Sequence, residues 1–283
     1  MMQTFQKSLV VIAGPTAGGK SAHALKLADA RNGVIINADA SQLYADLHIL
    51  SARPSTEEES AAPHRLYGVR DGAKPASASD WLSLAKREIA AAHRAGQLPI
   101  LVGGTGMYLK ILLHGIAPVP DIDEDIRAGA RALSTAELAE ALASEDPLMA
   151  ARLRPSDTQR LARALEVIRS TGRSLAEWQQ ELSGGIGNEM AVETILIDLP
   201  RDRLHARCDL RLDRMIEAGA LDEVATLAAR NLPDNLPVMK AIGVLPLLAH
   251  LRGEVDLDTA LETAKRDTRR YAKRQQTWFR TQL

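Results

Sequence analysis

The chain has 283 residues, 35 of them Lys or Arg and 36 Asp or Glu, for a formal net charge of −1. Its apolar fraction of 46% and charged fraction of 25% fit a soluble globular protein, long enough for one large domain or two modest ones, and aromatics at 3% predict an aliphatic core. The single cysteine, Cys208, excludes an internal disulfide and any multi-cysteine metal site, and no histidine pair has ligand spacing. No stretch has the length of a membrane-spanning helix and the start has no signal-peptide pattern, so a cytoplasmic location without membrane association is expected.

The first apolar run, Leu9–Ala13, predicts a strand. Gly14-Pro15-Thr16-Ala17-Gly18-Gly19-Lys20-Ser21 follows it, and the spacing of Ala22, Ala24, Leu25, Leu27 and Ala28 predicts a helix over 21–30. Strand, loop and helix in this order are the context of a phosphate-binding loop. Glycine lets successive N–H groups converge on one cavity, and the helix start adds its positive end. Lys20 reaches terminal phosphates and the Ser21 hydroxyl serves Mg²⁺, so the segment binds a di- or triphosphate.

A second strand is expected over Val34–Ile36, a helix over Ser79–Ala95 and a third strand over Pro99–Val102. Strands alternating with helices predict a parallel sheet covered on both faces, with ligands beyond the carboxyl ends of the strands. That edge receives Asn37-Ala38-Asp39 and Gly103-Gly104-Thr105-Gly106. At this position Asp39 is equally a general base and a helix cap. Thr105 is equally a hydrogen-bond donor to a leaving oxygen and a capping residue. Gln42 reads as an acceptor contact, and Tyr44 as a contact or a packing residue.

The character changes at Pro118-Val119-Pro120. From there to Met190 only helical patterns occur, and the β pattern returns over Thr194–Leu199, ending near Asp198, which resembles a Walker-B carboxylate. The expected organisation is a core of residues 1–117 and 191–283 with a helical insertion over 118–190. Within the insertion, Leu161, Leu165 and Ile168 form an apolar stripe, and Gln159, Arg160 and Arg163 the opposite face. Arg152, Arg154, Arg160, Arg163, Arg169 and Arg173 make one basic cluster. Lys265, Arg266, Arg269, Arg270, Lys273, Arg274 and Arg280 make another, on a terminal helix. Like charges at i, i+4 cost a helix a few tenths of a kcal/mol per pair, about 0.2–0.5. Either an anionic partner such as nucleic acid or acids of the core must offset them.

These segments together resemble the bacterial tRNA dimethylallyltransferases, also called tRNA isopentenyltransferases. The resemblance runs through Gly14–Ser21 (GPTAGGKS), Asn37–Tyr44 (NADASQLY), Gly103–Leu109 (GGTGMYL), Asp157–Val167 (DTQRLARALEV) and Thr171–Trp178 (TGRSLAEW). It continues through Arg211–Met215 (RLDRM), Ala241-Ile242-Gly243 and Arg269–Arg280 (RRYAKRQQTWFR). It implies an α/β fold, a P-loop NTPase-like parallel sheet flanked by helices, with an inserted all-helical domain that contacts tRNA. The implied reaction moves a dimethylallyl group from its diphosphate to N6 of adenosine 37 in the tRNA anticodon loop.

By motif, Asp39, Thr105 and Arg211 would be catalytic, with Asp39 the base, and Gly14 through Ser21 would hold the diphosphate with Mg²⁺ on Ser21. Asp39, Ala40, Ser41, Gln42, Thr105, Arg127, Gln159, Arg160, Leu161, Ala162, Arg163 and Lys240 would touch tRNA, and Arg269, Arg270 and Lys273 join them from the basic helix. Ala40 stands where the family usually has serine, and Val244-Leu245 replace a common Tyr-Lys or Tyr-Arg pair. No obligate protein partner is implied, and a monomer suffices. A small-molecule kinase would share the loop and sheet but would need a short arginine-bearing lid and an ATP purine pocket. A non-catalytic RNA-binding module would have no use for the Lys20, Ser21 and Asp39 set.

Overall fold

The computed structural model describes residues 7–282. Five parallel strands, β1 (Ser8–Ala13), β2 (Gly33–Asn37), β3 (His64–Arg65), β4 (Leu98–Gly103) and β5 (Ala191–Leu196), form one sheet in the order β3-β2-β4-β1-β5. Strands β1, β2 and β4 are continuous apolar runs buried almost throughout, as a parallel sheet covered on both faces requires. The two-residue β3 is too short to leave a periodic signal. Strand β5 lies on the edge with most of its residues exposed, and it is shifted upstream of the expected Thr194–Leu199. Its pairing with β1 runs from Ser8↔Ala191 to Ala13↔Leu196, and the chain then turns through Pro200 into the next helix.

The helices, in chain order, are α1 (Lys20–Arg31), α2 (Thr56–Ala61), α3 (Ala78–Arg94), α4 (Gly106–His114), α5 (Glu124–Ala132), α6 (Thr135–Glu145), α7 (Pro147–Ala150), α8 (Thr158–Thr171), α9 (Leu175–Trp178), α10 (Arg201–Glu217), α11 (Ala220–Ala229), α12 (Val244–Leu251) and α13 (Leu257–Gln282). They belong to two compact units, Met1–Ile111 with Gly187–Leu283, and Leu112–Ile186.

In the first unit, Val10, Ile12, Ile35, Ile100 and Val102 pack against Ala24 and Ala28 of α1. A second apolar cluster joins Val224, Leu227, Leu247, Leu248, Ala260 and Ala264 of α11, α12 and α13 to Tyr44, Leu47 and Leu50. The second unit is all-helical around Leu138, Leu142, Met149, Leu161, Ala164 and Leu165. Its helices start on strong caps: Ser134 and Ser174 form capping boxes, the buried Asp146 caps α7 and the partly exposed Asp157 caps α8. Paired backbone bonds between Ile116 and Ser183 join its two chain ends, and the unit starts at Leu112, before the expected 118, and ends at Ile186, before the expected 190.

Trp81 of α3 fixes the carboxyl end of β2. It is fully buried, its indole N–H donates to the Asn37 carbonyl at 2.8 Å, and its ring stacks on Tyr108 at 4.4 Å between centroids. Trp81→Phe, which keeps most of the volume and orphans the carbonyl, should lower unfolding free energy by about 1–3 kcal/mol. Trp81→Ala should cost about 3–5 kcal/mol. Urea denaturation of the three proteins checks the order.

Candidate active site

Strands β1, β2 and β4 lie side by side and end together, so the loops that follow them meet. The loop after β1 turns through a Gly18 N–H bond to the Pro15 carbonyl, 3.1 Å, and reaches α1 through Gly19. Gly19 caps that helix at φ 99°, a left-handed conformation that strains any residue with a Cβ. The N–H groups of Ala17, Gly19, Lys20 and Ser21 have no acceptor among the described residues, which leaves a row of donors at a helix start. Lys20 folds back over the loop, its Nζ donating to the carbonyls of Gly14 at 3.0 Å and Pro15 at 2.8 Å. Burial pushes its pKa down to about 8; the Asp39 carboxylate acts against that shift and Arg211 adds to it.

After β2, the Asn37 side chain clamps the turn. It accepts from the Asp39 N–H at 2.7 Å and donates to the carbonyls of Asp39 and Leu66. Asp39 Oδ1 accepts from the Ser41 N–H at 3.0 Å and the Ser41 hydroxyl at 2.7 Å, while Oδ2 has no partner among the described residues. Asp39 thus braces the start of a short 3-10 turn with one oxygen and leaves the other without a partner among the described residues.

After β4, the Thr105 N–H donates to the Ala38 carbonyl, and the Thr105 hydroxyl accepts from the Ala40 N–H at 3.0 Å. The Thr105 hydroxyl thus holds the Asp39 turn from the β4 side and keeps its own proton to donate. Helix α10 supplies the opposite wall. Its Arg211 donates to the Thr16 hydroxyl, and burial lowers its pKa. Arg207 and Arg214 stand one turn to either side of it, a spacing legible in the sequence that singled out Arg211 alone.

The cavity these elements enclose measures about 710 Å³. Seven lysines and arginines line it against two acids, Asp39 and Glu58. None of the seven is within 4 Å of a carboxylate among the described residues, so the cavity presents unneutralised positive charge. Leu50, Leu210 and Met215 give it an apolar side. Ser21 lines it beside Lys20, and the described residues hold no cluster of three or more His, Cys, Asp or Glu. One hydroxyl beside a row of phosphate-binding N–H groups fits a magnesium ion shared with substrate phosphates, not one caged by protein.

The structure brings Thr16 to Ser21, Asp39 to Gln42, Arg211 and Lys240 to this cavity. Gln42 spends its amide N–H on the carbonyls of Ser51 and Ala52, and Tyr44 is a buried packing residue whose hydroxyl accepts from the Ala76 N–H. Asp198 is not a cavity carboxylate. Arg280 and Gln276 bind it on the outside of the first unit, and the Arg280 hydrogen bond lowers its pKa.

Leu161 and Ala162 are buried in the core of the helical unit, so their side chains cannot touch RNA, whereas Gln159, Arg160 and Arg163 are exposed. The arginine cluster is largely neutralised there: Arg160 pairs with Asp157, Arg163 with Glu166, Arg169 with Glu145 and Arg173 with Glu181. Arg127 donates to the Ile122 carbonyl.

On α13, Arg269 grips both oxygens of Asp209, Lys265 binds Asp213 and Arg280 binds Asp198. Core acids therefore offset these three, Arg269 included. Arg270 and Lys273 remain exposed, and Arg270, Arg274 and Lys240 share a smaller adjoining cavity of about 280 Å³.

No helix among the described residues is long and apolar enough to cross a membrane. The family model for IPP transferase matches residues 42–282. A tRNA dimethylallyltransferase of Zymomonas mobilis is 54% identical over 97% of this chain and 88% of its own length. One of Sphingopyxis alaskensis is 56% identical over 97% of this chain and 90% of its own. Among solved structures, the tRNA isopentenylpyrophosphate transferase of Bacillus halodurans is 35% identical, with a TM-score of 0.70 over 98% of this chain and 88% of that one. A eukaryotic dimethylallyltransferase acting on tRNA is 28% identical, with a TM-score of 0.82 over 96% of this chain and 69% of that one. With the phosphate loop, the Asp39 turn and the arginine wall converging on one cavity, the chain belongs to the IPP transferase family.

Proposed function

We propose that the chain transfers a dimethylallyl group from dimethylallyl diphosphate to N6 of adenosine 37 in the anticodon loop of tRNA. The observation that carries this reading is that Lys20 and an Asp39 Oδ2 without a partner among the described residues line one cavity of unneutralised positive charge. The free N–H groups of the loop, Lys20 and Arg211 bind the diphosphate, and Leu50, Leu210 and Met215 suit a short branched hydrocarbon. Magnesium on Ser21, when bound, adds positive charge at the phosphate oxygens. Asp39 Oδ2 takes the proton of the exocyclic amine as the new N–C bond forms and the C–O bond to diphosphate breaks. The electron pair leaves with the diphosphate, whose developing charge Lys20 and Arg211 neutralise. The adenine must leave its stack to reach the sheet edge, and the exposed Gln159, Arg160, Lys240, Arg270 and Lys273 are the residues assigned to the surrounding tRNA.

Asp39→Asn keeps the bond to Ser41 and removes the base. Transfer of labelled dimethylallyl to unmodified tRNA should fall by about 10²–10⁴-fold while tRNA affinity holds, and a near-normal rate removes Asp39 as the base. ATP offered in place of the prenyl donor should give no phosphoryl transfer.

Because burial lowers the Lys20 pKa to about 8, the ammonium that meets the diphosphate is present below that pH and lost above it. Donor affinity should therefore be flat below pH 7 and fall by up to about tenfold per unit well above pH 8. Lys20→Arg should abolish that fall, read by titration calorimetry across the range.

Replacing Arg270 and Lys273 by alanine should reduce the slope of log tRNA affinity against log salt by about 1.4, at roughly 0.7 per lost phosphate contact. Arg269→Ala, whose guanidinium is spent on Asp209, should leave that slope unchanged.

A further inference from the structure

We infer that Gln275 is a positioning residue for the transfer reaction, setting the phosphate-binding loop and the Gly104-Thr105 turn at one fixed separation. The inference rests on the reaction proposed above. Strands β1 and β4 pair as far as Ala13↔Gly103, after which their chains part into the two loops that form the site. The Gln275 side-chain amide, 5% exposed, sits in that gap. Its oxygen accepts from the Thr16 N–H at 2.8 Å, and its nitrogen donates to the Gly104 carbonyl at 2.8 Å. It thereby supplies from α13 one further rung of the ladder, an acceptor for one strand's continuation and a donor for the other's.

The fit is specific on both sides. A Cβ on Gly104 would lie 2.0 Å from the Gln275 amide nitrogen, so only glycine admits this rung. Thr16 is held a second time, through its hydroxyl, by Arg211. Beyond Gly104, the Thr105 hydroxyl holds the Ala40 N–H, next to the base. A continuous series of contacts thus runs from the diphosphate loop through Thr16, Gln275, Gly104, Thr105 and Ala40 to Asp39. Gln275 itself does not line the cavity and acts through these neighbours. Small displacements of a reacting group cost rate far more than affinity, which is the signature a rung of this kind should leave.

The amide chemistry separates positioning from packing. Gln275→Met keeps the shape and removes both bonds. Gln275→Glu, when ionised, can accept from Thr16 but turns an acceptor toward the Gly104 carbonyl; when protonated, it restores the donor. The ionisable groups nearest are Tyr271, one turn back on α13 and held neutral by burial, and Arg211, through Thr16. Lys20 keeps its charge below pH 7.

Single-turnover prenyl transfer to tRNA is measured for wild type, Gln275→Met and Gln275→Glu between pH 5.5 and 7, about the range in which a buried carboxyl titrates, with tRNA affinity and melting temperature in parallel. Expected are a rate for Gln275→Met about tenfold or more below wild type with tRNA affinity unchanged, and a Gln275→Glu rate that climbs toward wild type as pH falls. A wild-type rate in Gln275→Met overturns the inference, as does a Gln275→Glu profile parallel to wild type with only the melting temperature lowered. If Gln275→Met does not fold, the Gln275→Glu profile decides alone. Absence of transfer by the wild type overturns the function reading and the inference with it.

Discussion

Lys20 donates to two carbonyls of its own loop, inside a cavity where six other cations also lack a carboxylate within reach. Burial strips these cations of water, and that cost appears locally as the lowered pKa of Lys20 and Arg211. A multivalent anion would relieve both desolvation and repulsion, so the loop favours such a ligand. The walls must therefore be rigid without spending those charges, and the structure achieves this with neutral groups. Asn37, Ser41, Thr105 and Gln275 hold the loops by amide and hydroxyl bonds, leaving the guanidinium and ammonium groups unneutralised.

Helix α13 shows the same division of labour along its length. One side carries Lys265, Arg269 and Arg280 to Asp213, Asp209 and Asp198, tying the helix to α10 and to the segment after β5. Its buried side carries Ala264, Thr268, Ala272, Gln275 and Phe279. Arg266, Arg270 and Lys273 remain exposed. A helix that looked in composition like a uniform RNA-binding surface is first a strut for the site and only in part a surface for an anion.

The phosphate loop, the three buried strands and the turns after them were legible because each is a local pattern: an apolar run, a glycine turn, then helical spacing. Edge strand β5 was misplaced because most of its residues are exposed, so hydropathy pointed to Ile195-Leu196-Ile197 instead of the segment that pairs with β1. The Asp198–Arg280 and Asp209–Arg269 pairs were not legible, because charge in a sequence does not reveal which distant carboxylate or guanidinium it meets. Leu161 and Ala162 fell inside a matching motif whose helix turns them inward, a fact their apolar character already carried. Gln275 gave no signal, since a glutamine on a polar helix acquires its role only from contacts to Thr16 and Gly104, far away in the chain.

That distance has a kinetic side. Thr16 and Gln275 are 259 residues apart, and β1 meets β5 only across the whole helical unit. Closing so long a loop costs entropy before it gains contacts, so contacts of such separation are expected to form after the local helices. An on-pathway species can then hold the full phosphate-loop sequence, α1 included, yet lack the rung that sets its geometry. If α13 docks last, competence for the diphosphate arrives with it, and refolding followed by donor binding should lag behind refolding followed by helical signal.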